Sequence, residues 1–237
     1  MTADIDPVLY YVDRSNQRGG RMLSVVDLVR AGTLTRGQAA WLLAAIEGGA
    51  SWLVGAAPGG AGKTTVMSAL LAMLPAGTKI RLTERGSGWE QSRQGDCVVC
   101  YEISSGWYDG YIWGEDVRHL AHLGAQGCQV VANLHADTLA EARDQVVGQN
   151  GACADDFNAF SVFLPIAISK GRGGPRRVVG PISCWNGKAW ESREQEPQPS
   201  LREAAIAQFL DDCLQACTIT IEAVRVAWLQ WRECHAP

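Results

Sequence analysis

Residues 57–65, which read APGGAGKTT, carry the clearest chemical signal in the sequence. Glycines 59, 60 and 62 let consecutive backbone N–H groups turn toward one point, and Lys63 adds a positive charge beside them. A loop of this kind, followed by the N-terminus of a helix, binds phosphate groups. The segment fits the pattern GxxxxGK[ST] at every position except the first, where alanine replaces glycine.

This pattern predicts a role for several side chains. We expect Lys63 to bridge the β- and γ-phosphates of a nucleoside triphosphate, Thr64 to coordinate Mg²⁺ and Thr65 to contact the α-phosphate. With ATP and Mg²⁺ as ligands, the predicted nucleotide-binding residues are Pro58, Gly59, Gly60, Ala61, Gly62, Lys63, Thr64 and Thr65. The alternative is a glycine-rich turn that contains lysine and threonine by chance. The apolar run before the loop and the helical pattern after it favour nucleotide binding.

Two carboxylates at predicted strand ends are candidates to complete this site. Glu102 ends the apolar run 98–102 (VVCYE), where an acid holds the Mg²⁺ shell or orients water in nucleotide hydrolases. Glu84 ends the run 78–84 (TKIRLTE) and would lie at the same edge if the strands are adjacent. Each also has a structural interpretation, Glu102 as an exposed strand end and Glu84 as the ion-pair partner of Arg85.

Strand and helix patterns alternate around these residues. Apolar runs predict strands at 51–56, 78–84, 96–103 and 128–134. Helical spacing predicts helices at 22–30, 35–46, 64–74, 113–123 and 138–147. This alternation predicts an α/β fold with a mainly parallel sheet flanked by helices. Together with the motif at 57–65, it indicates a P-loop NTPase.

The last third of the chain has a different pattern. The β-prone runs 160–169 and 177–185, joined by 170–176, predict an antiparallel hairpin at the sheet edge. A capping box at Ser200 and helical spacing at 201–217 and 221–231 predict a C-terminal helical pair. We therefore divide the chain into lead-in helices (1–50), an ATPase core (51–190), a linker (191–199) and a C-terminal helical extension (200–237).

A basic cluster occupies the turn of the predicted hairpin. Its members are Lys170, Arg172, Arg176 and Arg177. They are candidates to meet an acidic partner or the nucleotide of another subunit, and the alternative is a solvated hairpin tip.

Composition excludes several classes of protein. The chain has 237 residues, 47% hydrophobic and 19% charged, which favours a folded domain over a disordered chain. A net charge of −4 disfavours broad nucleic-acid binding. Neither a signal peptide nor a run of about 18 apolar residues is found, so we expect a cytoplasmic protein. We interpret the eight cysteines mostly as small buried hydrophobes.

Residues 22–185 resemble the C-terminal motor domain of the type II/type IV secretion ATPase superfamily, whose members drive secretion, pilus, conjugation and archaeal flagellar machines. The resemblance rests on two lead-in helices before the phosphate loop, on the strand ends at Glu84 and Glu102, and on residues 127–142 (GCQVVANLHADTLAEA). The last segment is the most diagnostic, because it is similar to the histidine box of the family.

The resemblance implies both roles and partners. Glu102 would be the catalytic acid and a Mg²⁺ ligand, Glu84 the acid-box residue and His135 the γ-phosphate sensor. The chain would form a homo-oligomeric ring, a hexamer, at the inner face of the membrane. A membrane platform protein or a separate chain carrying an N-terminal domain would be its partner.

Two departures from the family pattern keep other functions open. No arginine follows Glu102, and Arg85 stands where the family has a further acid. A catalytically weak nucleotide-binding regulator of the same fold is the first alternative, and a small-molecule P-loop kinase is the second. The arginines that are candidates to replace the missing one are Arg81, Arg85, Arg93 and Arg118.

Overall fold

A computed structural model of the chain describes residues 6–16, 19–171, 174–193 and 198–235. The chain divides into two units. The helical unit comprises Met1–Gly48, Thr64–Thr78 and Glu196–Pro237, and the sheet unit comprises Gly49–Lys63 and Lys79–Gln195. No helix within the described ranges is both long enough and apolar enough to cross a membrane.

The sheet is mostly parallel and flanked by helices, as the alternating pattern predicts. Its strands are β1 (Trp52–Gly55), β2 (Ile80–Leu82), β3 (Cys97–Ile103), β4 (Tyr111–Ile112), β5 (Gln129–Leu134), β6 (Val162–Gly171), β7 (Gly174–Val179), β8 (Ser183–Trp185) and β9 (Trp190–Ser192). Their order is β2-β3-β5-β1-β6-β8-β9, with β4 paired to β3 and β7 paired to β6. The pairs from β2 through β1 to β6 are parallel, and β6 to β9 pair antiparallel.

Most of the helices begin at residues that the sequence marks as caps. They are α1 (Pro7–Arg14), α2 (Val25–Arg30), α3 (Arg36–Glu47), α4 (Lys63–Leu71), α5 (Glu115–Ala125), α6 (Leu139–Arg143), α7 (Ala154–Phe157), α8 (Leu201–Gln215) and α9 (Ile221–Cys234). Ser24, Thr35 and Thr138 form complete capping boxes. A π-helical turn at Asp144–Gln149 continues α6.

The core of the sheet unit lies between the central strands and α5 to α7. Strands β1 and β5 are buried at every residue, as expected of strands in a parallel sheet. Phe157, Phe160 and Phe163 pack with them, and all three side chains are almost fully buried. This rigid platform carries the loops that follow β1, β3 and β5.

The helical unit is held by buried polar contacts of its C-terminal helices. Arg225 on α9 is buried and donates to Asp6 at 2.6 Å, and to the carbonyl oxygens of Ala72 and Leu74 at 2.8 and 2.9 Å. Trp228 donates its indole N–H to the carbonyl of Met73 at 2.7 Å. The predicted helical pair is therefore an integral part of this unit.

Several elements differ from the predictions. The hairpin strands extend further than expected, to Gly171 and from Gly174, because the edge ladder continues to the turn. The predicted run 177–185 is divided, since β7 ends at Val179 and β8 starts at Ser183. Strand β9 includes the first residues of the predicted linker, whose residues 194–197 lie outside the described part of the chain.

The interpretation of the cysteines is correct for only half of them. Cys97, Cys100, Cys128 and Cys213 are buried, whereas Cys153, Cys217 and Cys234 are exposed. The exposed ones lie at helix ends, where local periodicity says little about burial.

Candidate functional site

The phosphate loop connects the central strand β1 to α4, whose first residue is Lys63. Gly60 and Gly62 have φ angles of 78° and 97°, a left-handed conformation that side chains disfavour. Among the described residues, Cys217 is the only non-glycine with positive φ, so Ala57 is not strained. The first position of this loop therefore needs no glycine, which explains why it tolerates alanine.

Lys63 points back into the sheet unit rather than into solvent. Its ammonium lies 2.8 Å from Glu102 Oε1 and 3.2 Å from the carbonyl oxygen of Ala56. The Lys63 and Glu102 side chains are 9% and 12% exposed. The lysine of the loop is thus neutralised by the strand-end acid, and both charges are largely shielded from water.

His135 completes this cluster from the turn after β5. Its Nε2 lies 3.1 Å from Glu102 Oε1, and its Nδ1 lies 3.0 Å from the carbonyl oxygen of Ala57. Both ring nitrogens of His135 therefore lie within 3.1 Å of an oxygen atom. With 42% of its side chain exposed, His135 is the most accessible of the three groups. We call Lys63, Glu102 and His135 the loop cluster.

The topology explains why these residues meet. Strands β1, β5 and β3 are successive parallel neighbours, so their carboxyl ends share one edge of the sheet. Ligands of open α/β sheets bind at that edge. The loop after β1, Glu102 near the end of β3 and His135 after β5 come together there although 72 residues separate Lys63 from His135.

A β-bulge, which sequence reasoning missed, aims Glu102 at the loop. The register between β3 and β5 shifts between Cys100 and Ile103, so Tyr101 and Glu102 lie opposite Asn133 alone. The Asn133 side chain, which is buried, donates to the carbonyl of Tyr101 at 2.8 Å. An asparagine inside the apolar run CQVVANL was the one available signal.

Tyr111 is a second missed neighbour of the acid. It pairs with Glu102 across β3 and β4. Burial and then the adjacent Glu102 carboxylate raise the pKa of Tyr111 to about 12. The phenol is therefore protonated at neutral pH and provides a hydrogen-bond donor beside Glu102.

The turn after β5 also braces the loop. Asp137 accepts a hydrogen bond from the backbone N–H of Ala57 at 2.7 Å. Glu141 in turn accepts from the N–H groups of Asp137 and Thr138, at 2.7 and 3.3 Å. The segment that resembles the histidine box thus holds the start of the phosphate loop through its backbone.

The remaining predicted residues lie at different distances from the cluster. Pro58 and Gly59 are exposed and Ala61 is buried in the loop, while Thr64 and Thr65 are the second and third residues of α4. Glu84 is in the turn after β2, at the same edge but three strand positions away from β1.

The arginines proposed as replacements have other contacts. Arg81 lies 3.9 Å from Asp96, at the opposite end of β3, and Arg93 bonds the same acid through its backbone N–H. Arg118 donates to the carbonyl of Asn150 at 3.0 Å. Arg85 bonds Asp109 through its backbone N–H. None of these contacts involves the loop cluster.

The site contains oxygen atoms of the kind that Mg²⁺ prefers as ligands. Within the described ranges, no group of three or more His, Cys, Asp or Glu side chains converges on one point. Mg²⁺ binds through one or two oxygen ligands plus substrate phosphates in such sites. The Glu102 carboxylate and the Thr64 hydroxyl are oxygen ligands of the required kind.

The chain has a distant likeness to a solved structure. No family model and no curated protein matches the sequence. Among solved structures, the VirB11 ATPase from the Brucella suis type IV secretion system, in complex with sulphate, is similar with a TM-score of 0.46 and 14% identity. The alignment covers 77% of this chain, which spans only 57% of that structure.

Proposed function

We propose that this chain is a RecA-like P-loop ATPase, which binds MgATP and hydrolyses it as the motor of a secretion, pilus or conjugation-like apparatus. One observation carries the proposal. The ammonium of Lys63 and the imidazole of His135 both contact the same oxygen of Glu102, at 2.8 and 3.1 Å, beside a glycine-rich loop. A lysine that neutralises phosphate charge and an acid that orients water are among the groups that bind and cleave a terminal phosphate.

Each residue of the cluster has a distinct task in this proposal. Lys63 exchanges Glu102 for phosphate oxygens when the nucleotide binds, because its ammonium is then paired with the larger negative charge. Glu102, released from Lys63, orients the attacking water. His135, the most exposed of the three, contacts the γ-phosphate. Mg²⁺ would neutralise part of the phosphate charge, and Thr64 and Glu102 would be its protein ligands.

The motor class and its partners come from the sequence resemblance. A homohexameric ring at the cytoplasmic face of a membrane, docked on a platform protein or on a separate N-terminal-domain chain, fits the family that the motifs resemble. In such a ring, arginines from a neighbouring subunit supply the transition-state charge that this sequence lacks after Glu102.

A second candidate function is nucleotide binding without efficient hydrolysis. The observation in its favour is that the side chains of two replacement arginines contact other groups in the sheet unit, Arg81 near Asp96 and Arg118 with the Asn150 carbonyl. A transition-state arginine contributes a factor of about 10³ to 10⁵ in rate, so its absence would leave a switch-like nucleotide-binding protein.

Phosphate release from MgATP, measured over a wide range of protein concentration, tests both candidates. A ring motor predicts specific activity that rises steeply with concentration and is lost in Glu102→Gln, while that variant still binds ATP. Glu90→Gln is the matched control, because it neutralises an exposed acid of the sheet unit that lies outside the loop cluster. Binding without turnover at any concentration supports the second candidate. Tight ATP binding by folded Lys63→Ala would contradict both.

A further inference from the structure

The hairpin of β6 and β7 overhangs the edge of the sheet at which the phosphate loop lies. The last residue of β6 that pairs with β1 is Pro165, opposite Gly55, yet β6 continues to Gly171. Strand β7 pairs back along this overhang from Gly174. Side chains of β7 are therefore carried past the end of β1, to the level of the loop.

Arg177 on β7 uses this overhang to cover the loop. Its guanidinium Nη2 donates to the carbonyl oxygen of Gly60 at 3.3 Å. A Cβ added to Gly62 would lie 3.1 Å from Arg177 Cδ, so the arginine stem packs directly on this glycine. Of the basic cluster identified in the sequence, Arg177 thus contacts the nucleotide loop of its own chain, while Arg172 lies outside the described residues.

Strand order places this contact on a defined flank of the loop. The strand β6, which carries the hairpin, borders β1 on one side, and β5 and then β3 border it on the other. Glu102 and His135 belong to the β5 and β3 side, where the terminal phosphate would react. Arg177 reaches the loop from the opposite side, away from the reacting group.

The chemistry of Arg177 fits a ligand at that flank. A guanidinium has five N–H donors in one plane, pairs with phosphate oxygens and stacks on aromatic rings. One bond to Gly60 uses a small part of this capacity, and within the described ranges no carboxylate pairs with Arg177. A nucleoside diphosphate offers both an anionic pyrophosphate and a flat base.

We propose that Arg177 binds the nucleoside diphosphate part of the nucleotide in its own chain. It contributes equally to the affinity for ATP and for ADP. The inference rests on the proposed function, since it assigns a new contact to the same site. Because this contact is made away from the transferred phosphate, it contributes uniform binding energy and does not lower the barrier to hydrolysis.

Arg177→Ala tests this assignment through the separation of affinity from rate. We expect the dissociation constant for MgADP, measured by calorimetry, and KM for ATP to rise together by about 10- to 100-fold, the effect of losing a charged hydrogen bond. We expect kcat to stay unchanged. Arg177→Lys keeps the charge but not the planar fork, so its loss should be intermediate.

Arg176→Ala is the matched control. It removes the neighbouring arginine, whose side chain points to the other face of the strand, and should change neither constant. An equal loss of nucleotide affinity in Arg176→Ala would mean that any positive charge on this strand has the same effect. That result would overturn the assignment. A fall in kcat at constant KM in Arg177→Ala would also overturn it, since that is the signature of a transition-state arginine.

The experiment separates this inference from the proposed function. Suppose that the unaltered chain binds nucleotide, that Lys63→Ala abolishes this binding, and that Arg177→Ala does not weaken it. The assignment of Arg177 is then wrong, while the proposed function stands. If the unaltered chain binds neither ATP nor ADP, both are wrong.

Discussion

Charged side chains converge in both units of this protein, but the two groups lie in different places in the fold. In the helical unit, Glu47 accepts hydrogen bonds from both Arg202 and Arg232, with N–O distances of 2.6 to 2.7 Å. In the sheet unit, two basic side chains, Lys63 and His135, likewise share one acid, Glu102. The numbers of charges therefore do not distinguish the two groups. Their positions in the fold do.

We call Glu47, Arg202 and Arg232 the helical clasp. Its two arginines come from different helices, α8 and α9, and both hold the last residue of α3. The loop cluster instead lies at the carboxyl edge of the sheet, beside the glycine-rich loop. The clasp joins three helices of its unit, whereas the proposed function needs the charges of the cluster to exchange with phosphate.

The largest effect on stability is expected at Arg225, in the helical unit. Arg225→Leu removes the partner of Asp6 and of the Ala72 and Leu74 carbonyls, so it should lower the free energy of unfolding by about 3 to 5 kcal/mol. Denaturant unfolding followed by circular dichroism measures this loss. Arg36→Leu, which removes an arginine with 56% of its side chain exposed from a surface ion pair, is the control and should change stability by less than about 1 kcal/mol. Similar losses in both variants would contradict the structural role of Arg225.

The loop cluster should behave in the opposite way. In the double variant Lys63→Met/Glu102→Gln, both members of a shielded ion pair are replaced together, which leaves stability unchanged or raises it. ATP affinity should nevertheless fall by at least about 100-fold, because a preorganised cationic donor is lost. Unfolding and ATP titration of the same sample give both numbers. If stability fell with affinity, the cluster would be a structural feature like the helical clasp.

A pair of matched variants compares one lost hydrogen bond in each unit. Asn133→Ala removes the donor to the Tyr101 carbonyl, and Trp228→Phe removes the donor to the Met73 carbonyl. Each should cost about 1 to 3 kcal/mol of unfolding free energy, because a buried carbonyl loses its partner. Only Asn133→Ala should also lower kcat, since the bulge that it supports aims Glu102. Equal kcat values in the two variants would mean that Asn133 does not position Glu102 for catalysis.

The smallest effect concerns pH and the helical clasp. Burial alone would raise the pKa of Glu47, but hydrogen bonds from Arg202 and Arg232 outweigh it and hold that pKa below the usual range. A carboxyl group with a lowered pKa in the folded state stabilises the protein above its unfolded pKa, about 4.3, and loses this contribution as the pH falls. Glu47→Gln should therefore be less stable than the unaltered chain by about 1 to 2 kcal/mol at neutral pH. The difference should shrink below pH 4, as measured by denaturant unfolding at several pH values.

Much of the fold could be predicted because it follows from local patterns. Apolar runs at 51–56 and 128–134 became β1 and β5, and capping residues such as Thr35 marked helix starts. The helix α1 was missed although Asp6 accepts from its first turn and Pro7 opens it, both ordinary start signals. Strand β4 has only two residues, too few to give a periodic pattern.

The candidate site could be predicted as a set of residues but not as a geometry. The motif at 57–65 identified Lys63, and strand-end position identified Glu102. That the two charges touch depends on the strand order, which long-range pairing decides. The bulge at Tyr101 and Glu102 could not be predicted, because it lies within an unbroken run that reads as strand.

Residue types a few positions apart sufficed to predict the glycine-rich loop, the alternation of strands and helices, and the acid and histidine near strand ends. The tertiary structure alone decided which of these residues meet. It brought His135 to Glu102 through the β5 and β3 neighbours, and Arg177 to Gly60 through the overhang of β6. Such contacts join residues far apart in the chain, so their geometry depends on sheet register and strand length, which local sequence does not encode.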